Sequence, residues 1–279
     1  MHEVRKTMEL ASPITIYWDL PEGGEISTVV PIADEILACR PLMLQVTFPA
    51  PGLEGGAVAA LERLQGSGIA VSVTIPLPAS DELILSRLHG LGVKEVLLAV
   101  SGFAELIHHA GVIENDGLRP ALGVSFTLAR DHWRELPALI ILCREMGITR
   151  FVIPMERLYD GRSPFLLTRD QQLELATALV AAGGTSDMSV TIHDPFIWRA
   201  FNPTVPFPQG GCQAANTMIA IASDGGVYPC PSLPVRLGDL AATPLKDIIS
   251  SPAKKEFRRR LLAMPADCEG CGELGVCRG

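Results

Sequence analysis

The chain has 279 residues, 23 basic and 31 acidic, for a net charge of −8, with 48 % hydrophobic and 19 % charged residues. That balance excludes wholesale disorder, and the acidic excess argues against nucleic acid as the main partner. No apolar run approaches the ~18 residues of a membrane span. Met1 to Lys6 lacks the apolar stretch of a signal peptide, so the expected place is the cytoplasm, where thiols stay reduced.

The first strand is expected over Pro13 to Asp19, rich in β-branched and aromatic residues. A helix follows near Pro31 to Cys39, then a second strand from Leu42 to Phe48 and a helix from Ala57 to Leu64. Gly66-Ser67-Gly68 breaks the chain before a third strand, Ile69 to Ile75. Ser80, with Asp81-Glu82 behind it, reads as a helix start. Val93 to Val100 is the fourth strand, Ala121 to Leu128 the fifth, with a helix reaching Met146, and Arg150 to Pro154 the sixth. Thr168 with Gln171 three residues on has the form of a capping box. Met188 to His193 is the last strand of the series.

Strands alternating with helices predict a parallel sheet with right-handed crossovers. Six or seven units suit an α/β fold of the open, partial β/α barrel kind better than a closed barrel of eight. Ligands in such sheets gather at the carboxyl ends of the strands.

The cysteines divide the chain. Of seven, Cys39 and Cys143 stand alone, while Cys212, Cys230, Cys268, Cys271 and Cys277 crowd the last 68 residues. Residues 212–279 hold 8 basic and 7 acidic residues against 15 and 24 in the rest. Two regions are expected, 1–205 as the barrel and 206–279 as a thiol-rich extension. In the second, Asn216 to Ser223 and Val227 to Cys230 flank a turn at Asp224-Gly225-Gly226, a hairpin able to bring Cys212 and Cys230 together. A short basic helix, Ala253 to Leu262, starts at Ser250 or Ser251 with Pro252. Cys268-x2-Cys271-x5-Cys277 then aims two thiolates at one centre and wraps a third back to it. Its glycines let backbone N–H groups approach sulfur. Isolated cysteines are ordinarily buried hydrophobes; five thiols in a Gly-rich tail point to a metal. The spacing alone leaves iron–sulfur and zinc both open.

Other polar residues have simple readings. His193-Asp194-Pro195 and Asp19 fall at strand ends where ligands collect, but each also suits a turn or a cap. Ser101-Gly102 is either an anion contact or a strand-to-helix turn. His108-His109 reads as a solvated helix face, as does Lys254 to Arg260, which is otherwise a docking surface for an acidic partner.

The tail resembles the SPASM domain of radical SAM proteins that mature peptides. Cys212-x12-Gly225-x4-Cys230 and Cys268-x2-Cys271-x5-Cys277 carry the likeness. The barrel also resembles that family's. The resemblance implies auxiliary [4Fe–4S] clusters, with Cys212 and Cys230 on one and Cys268, Cys271 and Cys277 on the other. The family's next cysteine would fall just past Gly279.

The family's C-x3-C-x2-C after the first strand has no counterpart, since Asp19-Leu20-Pro21-Glu22-Gly23-Gly24 stands there. Its Gly-Gly-Glu after the second strand is replaced by Pro49-Ala50-Pro51-Gly52. Binding of S-adenosylmethionine is therefore not expected. The combination is similar to the SPASM-domain protein of the GeoRSP peptide-maturation system. That likeness implies a non-catalytic accessory of a true radical SAM/SPASM enzyme, with a small peptide chaperone and a peptide substrate as further partners. Two alternatives stand beside it. One is an enzyme using Asp19, His193 and Asp194 for non-radical acid–base chemistry. The other is a zinc-stapled binding module.

Overall fold

The computed structural model describes residues 9–49, 53, 55–109, 111, 120–159, 163–205, 212–261 and 263. Seven parallel strands form in chain order: β1 (Thr15–Asp19), β2 (Met43–Thr47), β3 (Ala70–Pro76), β4 (Glu95–Val100), β5 (Ala121–Phe126), β6 (Arg150–Ile153) and β7 (Ser189–Ile192). Each lies inside or within a residue of the stretch its β-branched and aromatic residues predict. Between them run α1 (Ile26–Cys39), α2 (Gly55–Leu64), α3 (Glu82–Gly90), α4 (Phe103–His108), α5 (Leu136–Glu145) and α6 (Arg169–Ala181), with α7 (Pro195–Phe201) after β7.

The hairpin adds to the same sheet. β8 (Met218–Ile221) runs parallel to β1 on the side away from β2. β9 (Gly226–Tyr228) and β10 (Gly238–Asp239) then continue it antiparallel, making ten strands in the order β10-β9-β8-β1-β2-β3-β4-β5-β6-β7. α8 (Leu245–Ser250) and α9 (Pro252–Leu261) complete the described chain.

Strand alternation gives the two faces opposite characters. Ile16, Trp18, Leu44, Val46, Val73, Val96, Leu98, Val124 and Phe151 point outward into one apolar core under the helices. The other face presents Tyr17, Asp19, Gln45, Thr47, Ser72, Glu95 and Arg150. The sheet is strongly curved with that polar face inside. β1 and β7 are six places apart, about 29 Å in a flat sheet at ~4.8 Å per strand. Yet the Tyr17 hydroxyl lies 3.4 Å from His193 Nε2, one residue past β7.

A glycine permits the cross-strand bond that spans this inner face. Arg150 on β6 donates through Nε to Glu95 Oε1 on β4 at 2.9 Å and through Nη1 to Thr191 Oγ1 on β7 at 2.6 Å. It passes over β5 at Gly123, where a Cβ would stand 2.7 Å from Arg150 Cγ.

Three local expectations shift. α1 begins at Ile26 rather than Pro31, because the buried stripe starts at Val29 and Pro31 removes only one internal hydrogen bond. Ser80 does not cap α3: its hydroxyl closes the preceding turn on the Leu77 carbonyl at 2.6 Å, and Asp81 Oδ1 accepts from the Ile84 amide at 2.7 Å. The basic helix is not a wholly solvated face, since Lys254 and Arg258 are buried. The Thr168–Gln171 capping box forms as expected, and so does the turn at Gly225, where φ is +80°.

Candidate metal centre

Cys212 and Cys230 come together because the hairpin folds back on itself. The Gly225 amide donates to the Ala222 carbonyl and the Ala222 amide to Gly226, each at 2.9 Å. Ala215 then donates to the Pro229 carbonyl at 2.8 Å, tying the segment after Cys212 to the residue before Cys230. Cys230 is buried and Cys212 half-buried. Burial pushes the Cys230 thiol up to about 11, and a Cys212 thiolate nearby adds to this. The backbone amides of Ser232 and Leu233 and the charge of Arg157 pull the other way. Amides and a cation close to a sulfur favour its thiolate, the form that binds a metal. Two free thiols on one hairpin fit part of an iron–sulfur ligand set. Cys268, Cys271 and Cys277 lie outside the described residues. Among the described residues no three His, Cys, Asp or Glu side chains are grouped to hold a metal. Cys39 and Cys143 are buried in the apolar core, as isolated cysteines ordinarily are.

Residues 155–159, after β6, line the open side of the sheet beside this pair. Arg157 reaches the ends of β1 and β2: Nη2 donates to Asp19 Oδ1 at 2.9 Å and to Thr47 Oγ1 at 3.1 Å, while Nε donates to Asp19 Oδ2 at 3.0 Å. Ser232 donates to the Glu156 carbonyl at 2.9 Å. The Tyr159 ring stacks on Tyr228 with centroids 4.3 Å apart. Tyr17, Tyr159 and Tyr228, all the tyrosines of the chain, so converge beside Cys230. Burial pushes the Tyr17 hydroxyl up to about 12 and raises that of Tyr159 as well. No local signal marked Arg157 or these rings, because their partners are over 60 residues away.

The other strand-end residues have structural partners. Asp19 is held by Arg157. Asp194 Oδ1 accepts from the Ile197 amide at 2.9 Å and caps α7. Burial first, and then the charge of Arg150, lower the pKa of His193. The amide and hydroxyl of Ser101 donate to Glu105 Oε2 at 2.6 and 3.0 Å, and the Phe103 amide donates to Glu135 at 2.7 Å. That turn is filled by the chain's own carboxylates rather than by an outside anion. His108 is exposed, but His109 is half-buried with Nδ1 3.0 Å from the Glu105 carbonyl, so the solvated-face reading holds for the first of the two alone.

The strands and helices define a mixed α/β protein with a large, mostly parallel sheet. Residues 212–272 match the SPASM family, an iron–sulfur cluster-binding domain. Among solved structures the chain is similar to Streptococcus suis SuiB bound to its precursor peptide SuiA, with a TM-score of 0.70 and 14 % identity over 97 % of this chain and 72 % of that one. SuiB bound to S-adenosylmethionine gives a TM-score of 0.67 at 13 % identity over 97 % and 73 %. The fold expected from the alternating elements is thus the one observed. No curated protein matches the sequence significantly. Among the described residues no helix is long and apolar enough to cross a membrane.

Proposed function

We propose that this protein is a catalytically degenerate relative of radical SAM enzymes that carries a SPASM-type iron–sulfur centre and assists a separate radical SAM/SPASM enzyme in modifying a peptide. The observation that carries the reading is at the end of β1. Where the radical SAM motif would supply three cysteines, this chain has Leu20 to Gly24, and the strand's last side chain, Asp19, is clamped by Arg157. The thiol-rich tail is nevertheless kept. Cys212 and Cys230, with Cys268, Cys271 and Cys277, would hold the centre. When bound, an iron–sulfur cluster supplies one-electron storage and a cross-link between the hairpin and the tail. The chain's own part is to bury Cys230 and hold the Cys212 backbone. A peptide partner is assigned by analogy with SuiB, whose structure is bound to the precursor peptide SuiA. A small peptide chaperone is a further expected partner. The alternative of non-radical acid–base catalysis is disfavoured, because Asp19 and Asp194 both hold structural bonds.

Anaerobic purification followed by iron, acid-labile sulfide and zinc determination tests the centre. Equal iron and sulfide, lost in a Cys268→Ala/Cys271→Ala variant, is the expected result. Zinc without sulfide would make the tail a structural staple. Formation of 5′-deoxyadenosine from S-adenosylmethionine under strong reductant would sink the accessory reading.

A further inference from the structure

α9 carries Lys254, Lys255, Arg258, Arg259 and Arg260. Two of these, one turn apart, face inward: Lys254 is 6 % and Arg258 2 % exposed. Both are held by one carboxylate. Lys254 Nζ donates to Glu9 Oε2 at 2.6 Å and Arg258 Nε to Glu9 Oε1 at 2.9 Å. Arg258 Nη1 donates to the carbonyls of Cys212 and Ala214, each at 3.0 Å. Arg258 Nη2 is fully buried and has no partner among the described residues.

Among the described residues, one carboxylate between two cations leaves one positive charge over. An uncompensated buried charge is strongly destabilising, and a buried donor left unpaired adds to the cost. Such a site calls for an anion with acceptor atoms. Its place narrows the choice. The same guanidinium grips the Cys212 backbone, and α9 leads directly into the segment bearing Cys268, Cys271 and Cys277. An iron–sulfur cluster ligated by thiolates is an anion whose sulfurs accept hydrogen bonds, and their number sets its potential.

We infer that Arg258 is a positioning residue for the iron–sulfur centre, offsetting the negative charge of the thiolate-ligated cluster and donating to it through Nη2 while fixing the Cys212 backbone. The inference rests on the cluster reading of the tail proposed above. It differs from that reading in assigning a basic side chain, not a thiol, to the site.

The test uses the whole chain, purified without oxygen, with iron and sulfide counted per chain and the midpoint potential read by spectroelectrochemical titration. Removing the positive charge in Arg258→Gln makes the reduced, more negative cluster harder to form. The reduction equilibrium then shifts at least tenfold toward the oxidised form, about 59 mV for one electron. Glu9→Gln removes a negative charge and shifts it the other way. Arg258→Lys keeps the charge and stays within about threefold of the unaltered protein. Unchanged potentials in both Arg258→Gln and Glu9→Gln, with full iron and sulfide, would overturn the inference; Nη2 would then serve a carboxylate of the tail. If far-UV circular dichroism shows Arg258→Gln unfolded, Glu9→Gln decides alone. Absence of iron and sulfide in the unaltered protein would instead refute the cluster reading itself.

Discussion

Replacing Asp19 by Asn keeps the shape of the side chain at the end of β1 but removes the charge that holds Arg157. The guanidinium, which donates to both carboxylate oxygens at 2.9–3.2 Å, then faces a neutral amide that accepts at only one of the two positions, and it keeps its bonds to Thr47 Oγ1 at 3.1 Å and the Met155 carbonyl at 3.0 Å. Breaking a fully buried pair from one side costs about 3–5 kcal/mol. Here the side chains are 27 % and 19 % exposed, so water recovers part of this. The expected cost is about 2 kcal/mol. At roughly 2–4 °C per kcal/mol for a chain of this size, the Tm falls by about 4–8 °C. Arg157→Met breaks the same pair from the other side at similar cost. The double variant leaves no unpaired charge, so its Tm should fall by clearly less than the sum of the two. Thermal unfolding followed by circular dichroism reads all three. An Asp19→Asn protein as stable as the unaltered one, or strictly additive losses, would show that the clamp is not what ties residues 155–159 to β1 and β2.

Two further outcomes follow from the inner face. Gly123→Ala places a methyl 2.7 Å from Arg150 Cγ and 2.9 Å from Leu97 Cδ2, with Arg150 anchored at Glu95 and Thr191. Overpacking of this kind costs about 1–3 kcal/mol, and the loss of Tm should shrink in an Arg150→Ala background. Tyr17 loses its proton only near pH 12 when folded because it is buried, against about 10 when unfolded. Between those values the unfolded chain binds fewer protons, so stability should fall as pH rises through that window and level off above it. Denaturation midpoints across the range in the unaltered protein and in Tyr17→Phe check this, since the variant should lose part of the slope.

Much of the architecture was legible locally. The runs at 15–19, 43–47, 70–76 and 95–100 are strands because β-branched and apolar residues concentrate there between helix starts and Gly-rich breaks. Thr168 and Gln171 announced a helix start through bonds spanning three residues. The thiols of 212–279 point to a metal region through composition and spacing, and the match to an iron–sulfur-binding family from 212 to 272 covers four of the five, stopping short of Cys277. Other features had no local trace. Lys254 and Arg258 belong to a run that reads as solvated, and their shared partner Glu9 lies 249 residues from Arg258. Arg157 looked like an ordinary loop residue until curvature carried it to Asp19, 138 residues earlier. The three tyrosines lie on different segments and meet because β8 adds to β1 on its free side. Local bonding and periodicity thus decided which residues are strand or helix and which face each shows. Which residues meet across the inside of the sheet depended on its curvature and on the strand beside β1, both products of contacts between segments distant in the chain.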